Sequence, residues 1–578
     1  MKALFSTTFL IAMIVLMFIP RQSFATSDTL VVLANGATLD QIIAGDQTAG
    51  VQNHKVYKLT ETDMSYLVDA TIVVSQGVTF VGVPDPTTGR LPCIQADVLL
   101  SGAITGCLLQ FEGYQTTVVL QNLYLLGVAP NNLVSTSAGQ GVQVSADSVT
   151  LIVNNCVFDD FTQFCIAYNG NWDKFKVTNT KFRDGIELAT AYYVPETLRS
   201  LWPGTFPTDS VIFDYNTFLG VAEGPVIAPA YISYFEFCHN DMVVGAKAPV
   251  WTERVTNAKI DDNIFYNTFA ISENETEYFG FWDEKGSQLR KPAIFNYIPL
   301  DSATAAFFTG RKFATSQDSA AAEAARKVEI KNNAYFWSSD LLNLYASIND
   351  TTKLVGNNTY ADSIYTPMFM NNETAAMFGN NLYPNFVQSG NQNVDPKFGT
   401  SILNMDGSTT SGDGNGLLAW ISAIRSGTGT TQYFAYQRTQ GGALPTWPLA
   451  EYTSGDLKYA ASLTSSDSKV VGDPFWFTGT QTGIKKVTGV PHVYSLSQNY
   501  PNPFNPSTVI NFSLEKPSNV TLSIYNVLGQ KVASVVNSFM QAGSYTYQFD
   551  ASKLASGVYI YRIEAGTFVS AKKMILMK

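Results

Sequence analysis

VIFDYNTFLG at 211–220, FEFCHNDMVV at 235–244 and AKIDDNIFYNTF at 258–269 are three versions of one phrase. Each opens on β-favouring residues, passes through one or two Asn or Asp, and lands on a large apolar residue. The phrase recurs as VVLQNLYLLG (118–127), LIVNNCVFDDF (151–161), FKVTNTKFRDG (175–185), VEIKNNAYFWSS (328–339) and KLVGNNTYADS (353–363). Aligned on the large residue, the anchors are Tyr124, Phe158, Phe182, Phe218, Met242, Phe265, Tyr335 and Tyr360. Their spacings are 34, 24, 36, 24, 23, 70 and 25.

A coil of a right-handed parallel β-helix takes about 20–25 residues and gives one strand to each of its sheets. The short spacings fit one coil each. Spacings of 34 and 36 fit a coil with an insertion, and 70 fits either three coils or one long insertion. Anchors in register stack into apolar columns inside the cylinder. Asn at a corner adopts the left-handed conformation, and its amide can bond the Asn of the next coil. A β-propeller would need blades of about 40–50 residues.

The chain has 578 residues, too many for one ordinary core unless the architecture is elongated. Charged residues are 14% and aromatics 13%, a profile of an all-β or repeat protein, and 46% hydrophobic content excludes disorder. The net charge of −11 is unevenly placed. Residues 494–578 hold seven bases and three acids, whereas residues 26–493 hold 27 bases and 44 acids. An acidic body excludes nucleic acid as a partner and disfavours a polyuronate. Five cysteines, Cys93, Cys107, Cys156, Cys165 and Cys238, read as small hydrophobes in a β core, although Cys93/Cys107 or Cys156/Cys165 could pair after export. Three dispersed histidines and no CxxC give no metal site of ordinary spacing.

In chain order, 1–25 reads as a signal peptide: Lys2, an apolar run to Ile19, and Ser23-Phe24-Ala25 before cleavage. No later segment is long and apolar enough to span a membrane. Residues 26–477 are the β-helix body, with a short capping helix expected at Leu39–Ile43. Insertions are expected at 186–210 and 270–327, the second with an Ala-rich helix at 316–327. The aromatic-rich run 447–477 reads as a cap over the open C-terminal end, and 478–493 as a linker.

Residues 494–578 read as a small immunoglobulin-like β-sandwich of six candidate strands punctuated by glycines. Its motifs are Pro501-Asn502-Pro503-Phe504-Asn505-Pro506, Ile524 to Gly529, Gly557-Val558-Tyr559, and a basic apolar end containing Lys572 and Lys573. With these motifs it resembles the type A C-terminal sorting domain of the type IX secretion system. The resemblance implies passage through the periplasm to the outer surface or the medium, with the type IX secretion machinery as partner. It also implies removal of the tail on export, with the cargo released or fixed to surface lipopolysaccharide.

The body's repeat pattern resembles the pectate-lyase-like superfamily, many of whose members cleave polysaccharides. That resemblance implies the alternative of a lyase or glycoside hydrolase, with Ca²⁺ as the ion a lyase would use. The weak catalytic candidates are Lys181, Arg183, Asp184, Glu253, Arg254, Asp261 and Asp262, bases and acids placed on neighbouring coils. No Gly-His-Gly or Asn-Thr-Asp motif accompanies them. Tyr192, Tyr193, Trp202, Trp251, Tyr278 and Trp282 are candidate aromatic platforms for sugar rings. The leading expectation is a glycan-binding or adhesin-like surface protein with no cofactor and a polysaccharide partner.

Overall fold

The computed structural model describes residues 28–98, 104–130, 138–187, 196–201, 206–226, 231–245, 249–270, 293–299, 316–347, 367–398, 418–422, 433–434, 457–459, 470–477, 484–487 and 494–577, single positions and short gaps aside. The expected signal peptide lies outside them.

Three sheets of parallel strands wrap one another. The first runs through eleven strands from Thr29–Val32 to Phe386–Ser389. The second runs in parallel from Ser65–Val68 to Gln392–Asn393, and Tyr433–Phe434 adds an antiparallel pairing to its Lys181–Glu187 strand. The third has six strands, from Ile72–Val74 to Glu223–Val226. Each strand pairs with its equivalents one coil before and one coil after, for example Phe235 with Val211 and with Ala258. This is the right-handed parallel β-helix read from the repeats.

Alternation explains how a coil buries its core. In Ile232–Cys238, Phe235 and Phe237 point inward and are fully buried, while Tyr234 and Glu236 face out. In the second sheet, Leu125, Phe158, Phe182, Phe218, Met242 and Phe265 form one inward column in register. Within it Phe182 stacks on Phe158 at 5.2 Å and on Phe218 at 5.1 Å. The inward position in the first of these coils is held by Leu125, not by Tyr124, whose hydroxyl donates to Asp159 on the outer side. Alignment on the aromatic slips by one residue there, because both positions carry large side chains.

Two further readings are corrected. Tyr335 is followed in the column by Asn393 and not by Tyr360, which lies outside the described residues. Helices Ser339–Ser347 and Asn372–Met377 and the strand Met368–Met370 lie between these two coils. The stretch 186–210 is not wholly an insertion, since Glu196–Ser200 is a strand of the third sheet. The 70-residue spacing is one coil with one long insertion, since Val255–Asp261 pairs directly with Lys327–Lys331. That insertion ends in the expected Ala-rich helix, Ser316–Ala325. The capping helix is present at Leu39–Gly45 with Leu39 and Ile43 buried.

At the corner between the first and second sheets, two neighbouring positions divide the work expected of one Asn. The first takes positive φ: Asn122, Asn155, Asn179, Tyr215, His239, Asp262 and Asn332 lie between 51° and 61°. The second carries a buried ladder. Asn216 Nδ2 donates to Asn240 Oδ1 (3.0 Å), Asn240 to Asn263 (3.0 Å), Asn263 to Asn333 (2.8 Å) and Asn333 to Asn391 (3.0 Å). Each amide also donates to a main-chain carbonyl, such as Asn263 to Phe237 O at 2.7 Å. Each side-chain oxygen accepts the main-chain N–H of the preceding ladder residue, such as Asn240 N to Asn263 Oδ1 at 2.9 Å. In earlier coils Leu123, Cys156 and Thr180 occupy this position, all fully or almost fully buried.

The tail forms two four-stranded antiparallel sheets around a core that includes Phe504, Phe512, Leu522, Ile524 and Tyr561. Ile484–Val487, inside the stretch read as linker, adds a strand to one sheet by pairing with Ser544–Tyr547. The Pro-rich motif runs beside the edge strand Phe568–Leu576: Asn502 Oδ1 accepts Ile575 N, and Phe504 exchanges main-chain bonds with Ile575 and Met577. Asn505 and Pro506 are exposed, and Pro501 and Pro503 lie outside the described residues. Gly529 sits at φ 76°, Tyr559 is buried with its hydroxyl on Ala555 O, and Lys572 and Lys573 lie in the edge strand. Among the described residues, no helix is long and apolar enough to cross a membrane.

Truncating a ladder residue tests this account. Asn263→Ala removes four buried hydrogen bonds, to Asn240 N, Asn240 Nδ2, Phe237 O and Asn333 Oδ1, and is expected to destabilise the body by about 3 kcal/mol. Asn179→Ala, at a part-buried corner, is expected to cost about 1 kcal/mol. Denaturant titration of both variants measures the difference.

Candidate functional site

Outward positions of the first sheet stand in rows, one residue per coil. The register places Asp214 beside Cys238 and Cys238 beside Asp261, and Asp261 beside Lys331. The next row outward along the strands holds Ile212, Glu236, Lys259 and Glu329. Residues separated by 23 or 24 positions in the chain, and by 70 across the long insertion, therefore meet on one rigid face.

Their contacts are specific. Tyr234 Oη donates to Glu236 Oε2 at 2.7 Å, and Lys259 Nζ lies 2.9 Å from Glu236 Oε1. Lys327 and Lys331 reach Glu329 at 3.2 and 3.3 Å. Burial pushes the Glu236 carboxyl up, but its hydrogen bonds from Lys259 and Tyr234 outweigh this and hold it below the ordinary range. Burial works against the Lys259 ammonium, yet Cys238, Glu236 and Asp261 around it raise its pKa. Asp261 is 4% exposed, and burial pushes its carboxyl up to about 6 despite Lys259. The Cys238 thiol is held well above its usual pKa by burial and by Asp214. Donor atoms of Asp214, Glu236 and Cys238 lie within 4.8 Å of one another. The Lys259 ammonium already supplies positive charge to this group, so its arrangement favours hydrogen bonding over metal binding.

The corner beside this row is strained at Tyr215. Tyr215, His239 and Asp262 hold φ of 61°, 55° and 61°, where the flanking coils use Asn. Tyr215 and His239 stack at 5.0 Å, and His239 Nε2 faces Asp262 Oδ2 at 3.8 Å. His239 Nδ1 donates to Val470 O at 2.8 Å.

The segment 470–477 is where the cap was expected. It lies along the flank of the coil and not over the open end. Asp473 N donates to Asp241 Oδ1 (3.0 Å), Thr217 Oγ1 donates to Asp473 Oδ2 (2.8 Å), and Trp476 Nε1 donates to Thr217 Oγ1 (2.7 Å). Gly472 passes so close that a side chain would meet Asp241. Burial pushes both the Asp241 and Asp473 carboxyls up; the Asp473 charge adds to the rise at Asp241, while Lys181 works against it at Asp473. The flank that this segment covers is the row Lys181, Thr217, Asp241 and Ile264 of the second sheet, whose buried polar groups need the partners the segment supplies.

The predicted catalytic residues separate in the fold. Asp261 joins the outer-face cluster. Asp262 turns to the corner and His239. Lys181 lies under the flanking segment, 4.1 Å from the centroid of the Phe475 ring. Arg183 is buried in an ion pair with Asp159, 3.7 Å away, on the second sheet. Arg254 is buried with its guanidinium over the Tyr231 ring at 5.6 Å. The Asp184 side chain and Glu253 lie outside the described residues. So do Tyr192, Tyr193, Trp202, Tyr278 and Trp282, whereas Trp251 is part-buried and follows the Glu223–Val226 coil. Asp214, Tyr234, Glu236, Cys238, Lys259 and Lys331 were not singled out by their sequence neighbours. Reading the aligned repeats down their columns would have found them. The five cysteines are all buried free thiols, and burial pushes Cys93, Cys107 and Cys156 to about 12.

Asp261 gives a pH test. Its proton stays bound in the fold beyond the pH at which the unfolded chain releases it. Its stabilising contribution is therefore full below about pH 4 and is lost as the pH rises through about 6. Carboxyl-carbon NMR of the full chain should show Asp261 titrating near 6, and Lys259→Met should move that value upward.

No curated protein and no solved structure matches this chain. Residues 498–577 match the family model of the secretion system C-terminal sorting domain. The match begins within the two-sheet sandwich whose edge is bordered by the Asn502–Phe504 segment. Residues 498–577 are a type IX secretion C-terminal sorting domain, and the chain that carries it is exported to the cell surface or secreted.

Proposed function

We propose that the exported body is a glycan-binding, adhesin-like protein and that the outer face of its first sheet is the contact surface. The observation that carries this reading is the Tyr234–Glu236–Lys259 network. Its polar groups are part-buried, held by one another, and fixed on adjacent strands, so their ordering entropy is already lost before a ligand arrives. The acidic body makes a neutral polysaccharide the better partner.

Lyase chemistry finds little support in these residues. A lyase base must be free to lose and gain a proton near the sugar. Arg183 and Arg254 are buried against Asp159 and Tyr231, Lys181 lies against Phe475, and Lys259 is held in its charged form.

One observation favours a hydrolase as a second reading. Asp214 and Asp261 stand in one row with a single strand between them, so their backbones are about 9–10 Å apart at ordinary strand spacing and their carboxyls can differ from that by a side-chain length. That is near the separation of about 6.5–9.5 Å used by inverting glycosidases. Asp261, at about 6, is suited to act as the acid.

A panel of neutral polysaccharides presented to the full chain separates the two. Retention on one of them without release of reducing ends is the expected result, with Tyr234→Ala/Lys259→Ala lowering retention about tenfold or more. Reducing ends that disappear in Asp261→Asn would establish the hydrolase instead. Neither retention nor turnover would contradict both readings.

A further inference from the structure

Val527 and Leu528 are the two most exposed large hydrophobic residues among those described, at 69% and 79%. They are consecutive, and they occupy the tip of the hairpin joining Ser518–Asn526 to Lys531–Met540 in the sorting domain. The turn itself does not need them. Gly529 N donates to Asn526 O at 3.0 Å and Gly529 takes φ 76°, which makes a four-residue turn closed by a left-handed glycine. The two central positions of such a turn accept most residues, and small polar ones are the usual choice. Folding therefore gives no reason for two large apolar side chains there, since they bury almost nothing.

The tip is also rigid. Asn526 Oδ1 accepts both Leu528 N and Gln530 N at 3.0 Å, and Asn526 Nδ2 donates to Gln530 Oε1 at 2.8 Å. The main chain closes the ring with Asn526 N on Gln530 O at 3.0 Å. A side-chain network that fixes an exposed turn holds Val527 and Leu528 in one presentation. This gives an apolar knob with little ordering entropy left to lose on docking. No charged side chain stands within the turn itself, so contact there is governed by apolar burial.

We propose that the Val527–Leu528 tip is a docking knob that inserts into an apolar pocket on a component of the type IX export machinery. The inference rests on the sorting-domain identity, which supplies a partner for a surface that the fold itself leaves uncovered. It assigns the contact to one turn of the domain and not to its basic edge strand.

The test uses the full chain in a type IX-competent host. Compared are the parent, Val527→Ser/Leu528→Ser, Val569→Ser, and a chain lacking 494–578. Val569 is 53% exposed on the edge strand, so it controls for loss of surface apolar area in general. Surface-delivered protein is measured by protease accessibility of intact cells, and the thermal midpoint of each purified full-length chain confirms folding. The expected result is a fall of about tenfold or more for the tip variant, with parental delivery and an unchanged midpoint for Val569→Ser. Parental delivery of the tip variant while the deletion is retained would overturn the knob and leave the sorting assignment intact. An equal fall in Val569→Ser would also overturn it. Delivery of the deletion itself would overturn both.

Discussion

A buried column of asparagine amides holds the second half of the β-helix in register. Each amide from Asn216 to Asn333 bonds the next ladder residue, a main-chain carbonyl, and through its oxygen a main-chain N–H, as Asn216 does with Asn240, Val177 O and Thr180 N. Apolar stacking alone would tolerate sliding by two residues, because the same face stays inward and Phe, Leu, Ile and Met substitute for one another in the core. An amide with a fixed donor and acceptor side does not tolerate it, since a slip would leave several buried polar groups without partners. The ladder thus sets which outward residues become neighbours, and the Asp214–Cys238–Asp261–Lys331 row is a consequence of it. Where Leu123, Cys156 and Thr180 replace the amide, the stacked Phe158, Phe182 and Phe218 rings carry the alignment.

The strain beside the ladder has a different character. A left-handed corner is inexpensive for Asn, tolerated by Asp and His, and unfavourable for Tyr. The three coils that use Tyr215, His239 and Asp262 are the same three that contribute Asp214, Cys238 and Asp261 to the outer row. The His239 imidazole ties that corner to Val470, so the returning segment 470–477 and the outer face are mechanically joined. Asp473 and Trp476 complete the attachment on the neighbouring sheet through Thr217 and Asp241.

The architecture was legible because the repeat is short and its corner residues are chemically distinctive. Spacings of 23 and 24 between large apolar anchors announce one coil per phrase. What escaped was register and what lies far apart in sequence. Tyr124 and Leu125 are both large, so hydrophobicity could not say which one points inward. Glu196–Ser200 looked like loop because ETLRS carries two charges, and pairing with Phe164–Tyr168 on one side and Glu223–Val226 on the other makes it a strand. The adjacent pair Asp261-Asp262 does not form one site, because Asp261 ends the strand and the corner turns Asp262 to different surroundings. The partners of Asp261 are one coil away, where local sequence says nothing about proximity. The tail is the reverse case: its motifs are local, and its identity could be read directly although several of its strands pair across the domain.

The body and the tail divide export from action. The tail is basic and closes its own edge with the Asn502–Phe504 segment. The body is acidic and derives its surface from coil register. Hydrogen exchange of the asparagine side-chain amides tests that register most directly. The account predicts that the Nδ2 protons of Asn216, Asn240, Asn263 and Asn333 are among the slowest-exchanging side-chain amides in the protein, while those of Asn171 and Asn385 exchange freely. Exchange of the ladder amides at the rate of exposed ones would contradict it.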